Sequence, residues 1–116
     1  MGNFMKNKTE SQAIYFIGIG GIGVSALAKF YISRGACVSG SDLVSSEITD
    51  ELKKLGAKIT IGKHKKSNLS KNVSEVIFTA ATPQNNPELV EARKRKIKIR
   101  SYAEAVGELT KNYKTI

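Results

Sequence analysis

The sequence predicts an α/β fold: a parallel sheet of about five strands with helices on both faces. Short, uninterrupted apolar runs, such as residues 13–17 and 76–78, are typical of strands that are buried on both sides. Segments with apolar residues at helical spacing alternate with these runs. A glycine-rich turn joins the first strand to the first helix. Such alternation indicates parallel strands that are joined by right-handed crossover helices.

The first half of the chain contains two helices, each with signals that mark where it starts or stops. Gly35 can end the first helix in a left-handed conformation, which glycine adopts without strain. Ser46 can cap the second helix, and Gly56 can end it. The predicted elements are a strand over 13–17, a helix over 20–34, a strand over 36–40, a helix between 46 and 56, and a strand over 57–61.

The second half continues the alternation after a polar, lysine-rich connection over 63–74. Asn86 followed by Pro87 predicts a helix start, because asparagine caps free N–H groups and proline fits the first helical position. The predicted elements are a strand over 76–78, a helix from 87, a strand over 97–99 and a helix over 102–112.

The composition is that of one soluble domain, with 116 residues of which 41% are hydrophobic and 25% charged. We expect a flexible tail over 1–12, the folded domain over 13–110 and the start of a linker over 111–116. Cys37 is the single cysteine, lies in an apolar stretch and is predicted to be buried. Without a disulfide partner it suits a reducing, cytoplasmic setting. No apolar run reaches the ~20 residues of a membrane helix, so no membrane partner is expected.

The excess of basic residues favours an anionic partner without identifying it. Lysine and arginine number 19 against 10 acidic residues, which gives a net charge of +9. The densest basic run, residues 93–100, follows a predicted helix, whose carbonyl end is stabilised by cations. No aromatic residues alternate with it, as they do on surfaces that stack bases. We interpret the run as a solvated helix end and expect no nucleic-acid partner, with nucleic-acid binding by a regulatory module as an alternative.

A glycine-rich loop, Gly18-Ile19-Gly20-Gly21-Ile22-Gly23, connects the first strand to the first helix. In such a loop Gly18 allows the sharp turn, Gly20 the close approach of a phosphate, and Gly23 the close packing of helix on sheet. The helix start adds free N–H groups and the positive end of the helix dipole. The loop therefore predicts a Rossmann-like fold that binds the phosphates of a nucleotide.

Asp42 stands at the end of the second strand, where an acid can accept hydrogen bonds from ribose hydroxyls. A carboxylate at this place disfavours a 2′-phosphate, so NADP is the less favoured dinucleotide. Alternatively, Ser41 and Asp42 are simply turn formers. The residues by themselves leave open an NAD-binding domain of an oxidoreductase or regulator.

Taken together, these stretches resemble the Mur ligases of peptidoglycan biosynthesis. The resemblance implies that this domain binds the UDP part of UDP-N-acetylmuramic acid. It also implies that the family enzyme uses ATP and Mg to form an amide bond, here between L-alanine and the sugar carboxylate. The family's ligases that recycle a murein tripeptide are the alternative. The stretches that carry the resemblance are FIGIGGIGVSALA (16–28), VSGSD (38–42), NPEL (86–89) and YAE (102–104).

The resemblance assigns roles to three groups of residues. Those of the loop would face the pyrophosphate, those after the second strand would lie near the nucleoside, and those after the fourth strand would line the other side of the crevice. His64 comes one residue later than a histidine that the family often has, and a lone histidine in a lysine-rich loop is typical of a solvated side chain. The residues are Gly18, Gly20, Gly21, Ile22 and Gly23; Ser41 and Asp42; and Thr79, Ala80 and Ala81.

The ATP-binding loop of the family, Gly-x-x-x-x-Gly-Lys-Ser/Thr, does not occur in this sequence. The resemblance therefore implies that the chain holds the nucleotide, with no catalytic residue, metal or cofactor of its own. ATP and Mg would bind to another domain of the enzyme. We expect the 116-residue chain to bind its ligand without catalysing the reaction. The sequence gives no indication of the oligomeric state.

Overall fold

The computed structural model describes residues 12–113, so the predicted tail lies outside the described residues except for its last position. Of the predicted linker over 111–116, residues 114–116 also lie outside them. The described residues form five strands and four helices with a short 3-10 turn. In chain order they are β1 (Ala13–Ile17), α1 (Ile22–Ser33), β2 (Cys37–Asp42), α2 (Glu47–Lys54), β3 (Lys58–Ile61), the 3-10 turn (Lys66–Asn68), β4 (Glu75–Phe78), α3 (Pro87–Lys94), β5 (Lys98–Ser101) and α4 (Tyr102–Tyr113).

The five strands form one parallel sheet in the order β3-β2-β1-β4-β5, which confirms the predicted fold class. In the register of the central strands, Phe16 of β1 pairs with Gly40 of β2 on one side and with Ile77 of β4 on the other. The chain therefore passes from β1 outward to β2 and β3, then returns to the other side of β1 for β4 and β5. The crevice at such a reversal, outside the carboxyl ends of the strands, is where ligands bind in sheets of this kind.

Helices cover both faces of the sheet because side chains alternate along each strand. Ile14 and Phe16 point into a cluster with α1, α2 and α4, whereas Tyr15 and Ile17 point into a second cluster with α3 and the segment before β4. All four side chains are at most 2% exposed. The continuous apolar run of β1 thus serves two cores at once. None of the helices within residues 12–113 is long and apolar enough to cross a membrane.

The predicted helix signals operate as expected, with a small shift at the start of α1. Ser46 caps α2 by accepting a hydrogen bond from the Thr49 amide at 3.2 Å. Asn86 caps α3, and Gly35 adopts a φ of +90° after α1. The α1 helix begins at Ile22, later than predicted, because the preceding glycine is its cap and has extended backbone angles.

The prediction that Cys37 is buried is wrong, because its side chain is exposed. Cys37 is the first residue of β2 and lies at the amino end of the sheet. Its neighbour Val38 is only 5% exposed and belongs to the core. Because successive side chains of a strand point to opposite sides, an apolar stretch at the start of β2 does not bury every one of its side chains.

The basic run over 93–100 is more than a solvated helix end, since its arginines bind partners within the domain. Arg95 donates a hydrogen bond to the carbonyl oxygen of Leu69 at 2.8 Å. Arg100 forms an ion pair with Glu75, whose side chain is 4% exposed. The lysines of the run are exposed, as predicted. Some of the basic side chains thus stabilise the fold through contacts within the domain.

The hydroxyl of Tyr15 is buried beside Ser41 and Glu88 without a hydrogen-bond partner within the described residues. Burial raises the pKa of this hydroxyl. An unsatisfied buried hydroxyl costs about 1–3 kcal/mol. We therefore expect Tyr15→Phe to raise the free energy of unfolding by about 1 kcal/mol, as measured by urea denaturation. A clear loss of stability would instead reveal a hydrogen bond made by the hydroxyl.

Candidate functional site

A cleft of about 820 Å³ lies outside the carboxyl ends of β1, β2 and β4. Its volume is in the range of small-molecule sites in proteins. The connections that leave β1 and β4 run to opposite faces of the sheet, which opens the cleft between them. Its walls are formed by residues at or after the ends of β1, β2, β3 and β4 and by the start of α3. The lining residues are Ile17, Gly18, Asp42, Leu43, Lys63, His64, Thr79, Ala81, Thr82, Pro83, Asn85, Asn86 and Pro87.

Unpaired backbone amides lie at the start of α1, after the loop whose first residue, Gly18, lines this cleft; residues 20–24 are not among the lining residues. The first amide of the helix to bond within it is that of Ser25, which donates to the carbonyl oxygen of Gly21 at 2.8 Å. The amides of Ile22, Gly23 and Val24 have no acceptor within the described residues, and no side chain caps the helix. Free N–H groups and the positive end of a twelve-residue helix can together bind an anion.

Asp42 braces the glycine-rich loop from the end of β2. The amide of Gly20 donates to its Oδ2 atom at 2.7 Å, and the amide of Leu43 donates to Oδ1 at 2.8 Å. A Cβ atom on Gly20 would lie 2.7 Å from Oδ2 and 3.1 Å from the Thr49 methyl group. The missing side chain of Gly20 thus makes room for a carboxylate of the protein itself. This contact places the Asp42 side chain in the cleft wall next to the loop.

The two ends of the loop are also fixed by contacts with other elements. Gly18 has a φ of +76°, which favours glycine, and its amide donates to the carbonyl oxygen of Ser41 at 2.8 Å. A Cβ atom on Gly23 would lie 2.7 Å from the Tyr102 hydroxyl. Gly23 therefore permits close packing of α1 on the start of α4, in addition to any role toward a ligand.

Ser41, which was predicted to lie near the nucleoside, is buried behind the cleft wall and is not among the lining residues. Its side chain is 0% exposed, and its hydroxyl donates to Glu88 at 2.6 Å. His64 does line the cleft, with Nδ1 at 3.1 Å from the Ser41 hydroxyl oxygen. The prediction of a solvated His64 is wrong, because its side chain is only 19% exposed. Sequence reasoning missed the contact with Glu88, which was used there only as part of the NPEL stretch at a helix start.

The loop after β4 forms the opposite wall. Thr79 and Ala81 line the cleft, whereas Ala80 is exposed outside it. The Thr79 hydroxyl accepts a hydrogen bond from the Ala81 amide at 3.2 Å, which shapes the turn. The sequence did not single out Thr82 or Asn85, which add polar groups to this wall.

Comparisons with known proteins agree with this architecture. A family model described as "Mur ligase family, catalytic domain" matches residues 13–114. The UDP-N-acetylmuramate–L-alanine ligase of Clostridium botulinum (strain Okra / Type B1) is 46% identical over 112 residues, which are 97% of this chain and 24% of that protein. The enzyme of the same name from Clostridium acetobutylicum is 47% identical over 104 residues. The chain thus spans about a quarter of the length of these relatives.

Solved structures contain the same arrangement of strands and helices. A UDP-N-acetylmuramate-alanine ligase from Thermotoga maritima superposes with a TM-score of 0.81 at 37% identity, covering 86% of this chain and 23% of that one. A UDP-N-acetylmuramate:L-alanyl-gamma-D-glutamyl-meso-diaminopimelate ligase from Neisseria meningitides gives a TM-score of 0.73 at 21% identity, covering 84% and 30%. The second likeness supports the fold alone.

Proposed function

Because the chain belongs to the Mur ligase family, we propose that it binds the UDP part of UDP-N-acetylmuramic acid for a ligase that joins L-alanine to this sugar. The observation that carries the proposal is the group of free amides of Ile22, Gly23 and Val24, which follow a loop whose first residue lines a cleft of nucleotide size. A diphosphate satisfies several N–H donors at once and meets the helix dipole with negative charge.

The proposed position of the diphosphate is the start of α1 rather than the Gly20 amide. The Gly20 amide already donates to Asp42, whose negative charge repels a phosphate at that point. Lys63 lines the cleft and adds a positive charge to it. The net charge of +9 also favours the approach of an anionic ligand.

The proposed position of the nucleoside is the cleft between the ends of β2 and β4. Asp42 has lone pairs left after its two backbone contacts, and these can accept hydrogen bonds from ribose hydroxyls. Thr79 and Ala81 line the facing wall, and His64 also lines the cleft and supplies a ring nitrogen. The cleft thus combines apolar walls with a few polar groups, which is typical of a nucleotide site.

In the proposed enzyme, ATP would transfer its terminal phosphoryl group to the muramic-acid carboxylate and leave as ADP, with Mg bound outside this chain. The amine of L-alanine would then attack the acyl phosphate and displace phosphate, which forms the amide bond. The role proposed for this chain is limited to holding the nucleotide end of the substrate, in the cytoplasm. The ligation of a murein tripeptide instead of L-alanine is the alternative, since it would use the same nucleotide. The relatives at 46% and 47% identity, which are named UDP-N-acetylmuramate–L-alanine ligases, favour L-alanine.

We expect UDP and UDP-N-acetylmuramic acid to bind to the chain in isothermal titration calorimetry. UMP, which lacks the second phosphate, is expected to bind at least about tenfold more weakly, a difference of ~1.4 kcal/mol. NADH serves as the control ligand, and we expect no binding because the relatives of this chain are named for a uridine nucleotide substrate. Tight binding of NADH without a response to UDP would overturn the proposal.

A further inference from the structure

A carboxylate with no exposure to solvent lies behind the wall of the cleft. It belongs to Glu88, in the first turn of α3. Its Oε1 atom accepts a hydrogen bond from the Ser41 hydroxyl at 2.6 Å. Its Oε2 atom is approached by the side-chain amide of Asn68 at 2.7 Å, the backbone amide of Lys65 at 3.2 Å and Nδ1 of His64 at 3.3 Å. A buried charge is tolerated when it is satisfied in this way.

The positions of the protons in this network determine the state of His64. The single hydroxyl proton of Ser41 is donated to Glu88, so the Ser41 oxygen acts as an acceptor toward Nδ1 of His64 at 3.1 Å. The carboxylate of Glu88 can only accept. Both neighbours of Nδ1 therefore require a proton on that nitrogen. In the neutral ring, Nε2 then carries a lone pair, and it has no partner within residues 12–113.

We propose that Glu88 is a positioning residue that fixes His64 as the Nδ1–H tautomer, so that Nε2 offers an acceptor to an N–H or O–H group of the nucleotide. The inference rests on the proposed function for its ligand and on the buried network for its geometry. A nucleoside carries such donors on its ribose and, in uracil, on a ring nitrogen. A hydrogen bond on one ring nitrogen of histidine sets the chemistry of the other.

The segment that carries His64 is held along α3 at both of its ends. Near its start Glu88 binds Lys65 and Asn68, and near its end Arg95 donates to the carbonyl oxygens of Leu69 and Ser70, each at 2.8 Å. Leu69 is 2% exposed and packs in the second core cluster. His64 is thus presented to the cleft by a segment that is already ordered, which lowers the entropic cost of ligand binding.

The first test uses the unmodified chain, because His64 is its only histidine. Nitrogen-15 NMR of the imidazole at about pH 8, where free histidine side chains are neutral, reports the tautomer directly. We expect a proton on Nδ1 and none on Nε2. Saturation with UDP is expected to shift the Nε2 resonance more than that of Nδ1. A proton on Nε2 in the free protein would overturn the assignment of Glu88.

The second test replaces Glu88 with an isosteric, neutral side chain. In Glu88→Gln one carboxylate oxygen is replaced by an NH2 group, which can donate a hydrogen bond to Nδ1 of His64 but cannot accept one from it. We therefore expect His64 to change to the Nε2–H tautomer and UDP affinity to fall about tenfold. Glu51→Gln is the matched control, since Glu51 lies on α2 and pairs with Lys29, and neither residue belongs to this network or holds the segment that carries His64. We expect the control to retain both the tautomer and the affinity. An unchanged tautomer in Glu88→Gln would contradict the inference.

A third variant keeps the test decisive if Glu88→Gln does not fold. We expect His64→Ala to keep its melting temperature within about 5 °C and to bind UDP about tenfold more weakly. Equal UDP affinity in wild type and His64→Ala would overturn the inference and leave the proposed function standing. Absence of UDP binding by the wild type would overturn the proposed function and the nucleotide contact, while the tautomer in the free protein still decides the role of Glu88.

Discussion

Gly21→Asp is expected to weaken UDP binding by at least about 100-fold, or ~2.8 kcal/mol, without destabilising the domain. Gly21 is the exposed cap of α1, with φ −65° and ψ 151°, and aspartate readily adopts this conformation at a helix start. Its carboxylate would bind the free amides and place a negative charge where the diphosphate is proposed to lie. Calorimetry gives the affinity, and urea denaturation gives the free energy of unfolding.

Gly21→Asn separates charge from size in this experiment. Asparagine caps a helix as well as aspartate does, but it is neutral. We expect it to compete for the same amides and to reduce UDP affinity about tenfold, less than aspartate does. Equal losses in the two variants would show that negative charge at this point is irrelevant, and wild-type affinity in both would place the phosphates elsewhere.

Gly40→Ala is expected to lower the free energy of unfolding by about 3 kcal/mol, the upper end of what overpacking costs. Gly40 lies in β2, and a Cβ atom there would be 2.5 Å from the Phe16 carbonyl oxygen and 2.9 Å from Cδ1 of Ile19. Because the nearest atom belongs to the backbone of the central strand, no change of rotamer relieves the clash. Urea denaturation with an unchanged m-value measures the loss.

The control for this substitution is Gly107→Ala in α4. A Cβ atom on Gly107 has no neighbour within 4 Å, so the added methyl group meets no obstacle. Alanine favours a helix over glycine by up to about 1 kcal/mol, and we expect a gain in stability of that order. Similar losses in both variants would mean that the contacts of Gly40 are not the cause.

Local patterns in the sequence were sufficient to predict the fold class and the order of its elements. The apolar run of β1 follows from burial on both faces, and Ser46 and Asn86 act as helix caps as their side chains predict. The glycine-rich loop was predicted at the strand end where the cleft is found. In each case the physical cause lies within a few residues of the chain, so a single sequence contains it.

Contacts between distant parts of the chain could not be predicted in this way. The bond between Gly20 and Asp42 joins residues 22 positions apart, and that between Ser41 and Glu88 joins residues 47 apart. Both contacts form because the folded sheet brings the carboxyl end of β2 close to segments that are distant in the sequence. For the same reason His64, which was predicted to be solvated, is held in the cleft wall by Glu88.

The bracing of the glycine-rich loop by Asp42 has a consequence for the kinetics of complex formation. The backbone amides of the loop are already arranged before a ligand binds, so binding does not require a slow rearrangement of the backbone. Association is then governed by diffusion and by the attraction between opposite charges, which differ little among related nucleotides. We therefore expect related nucleotides to differ mainly in their dissociation rates.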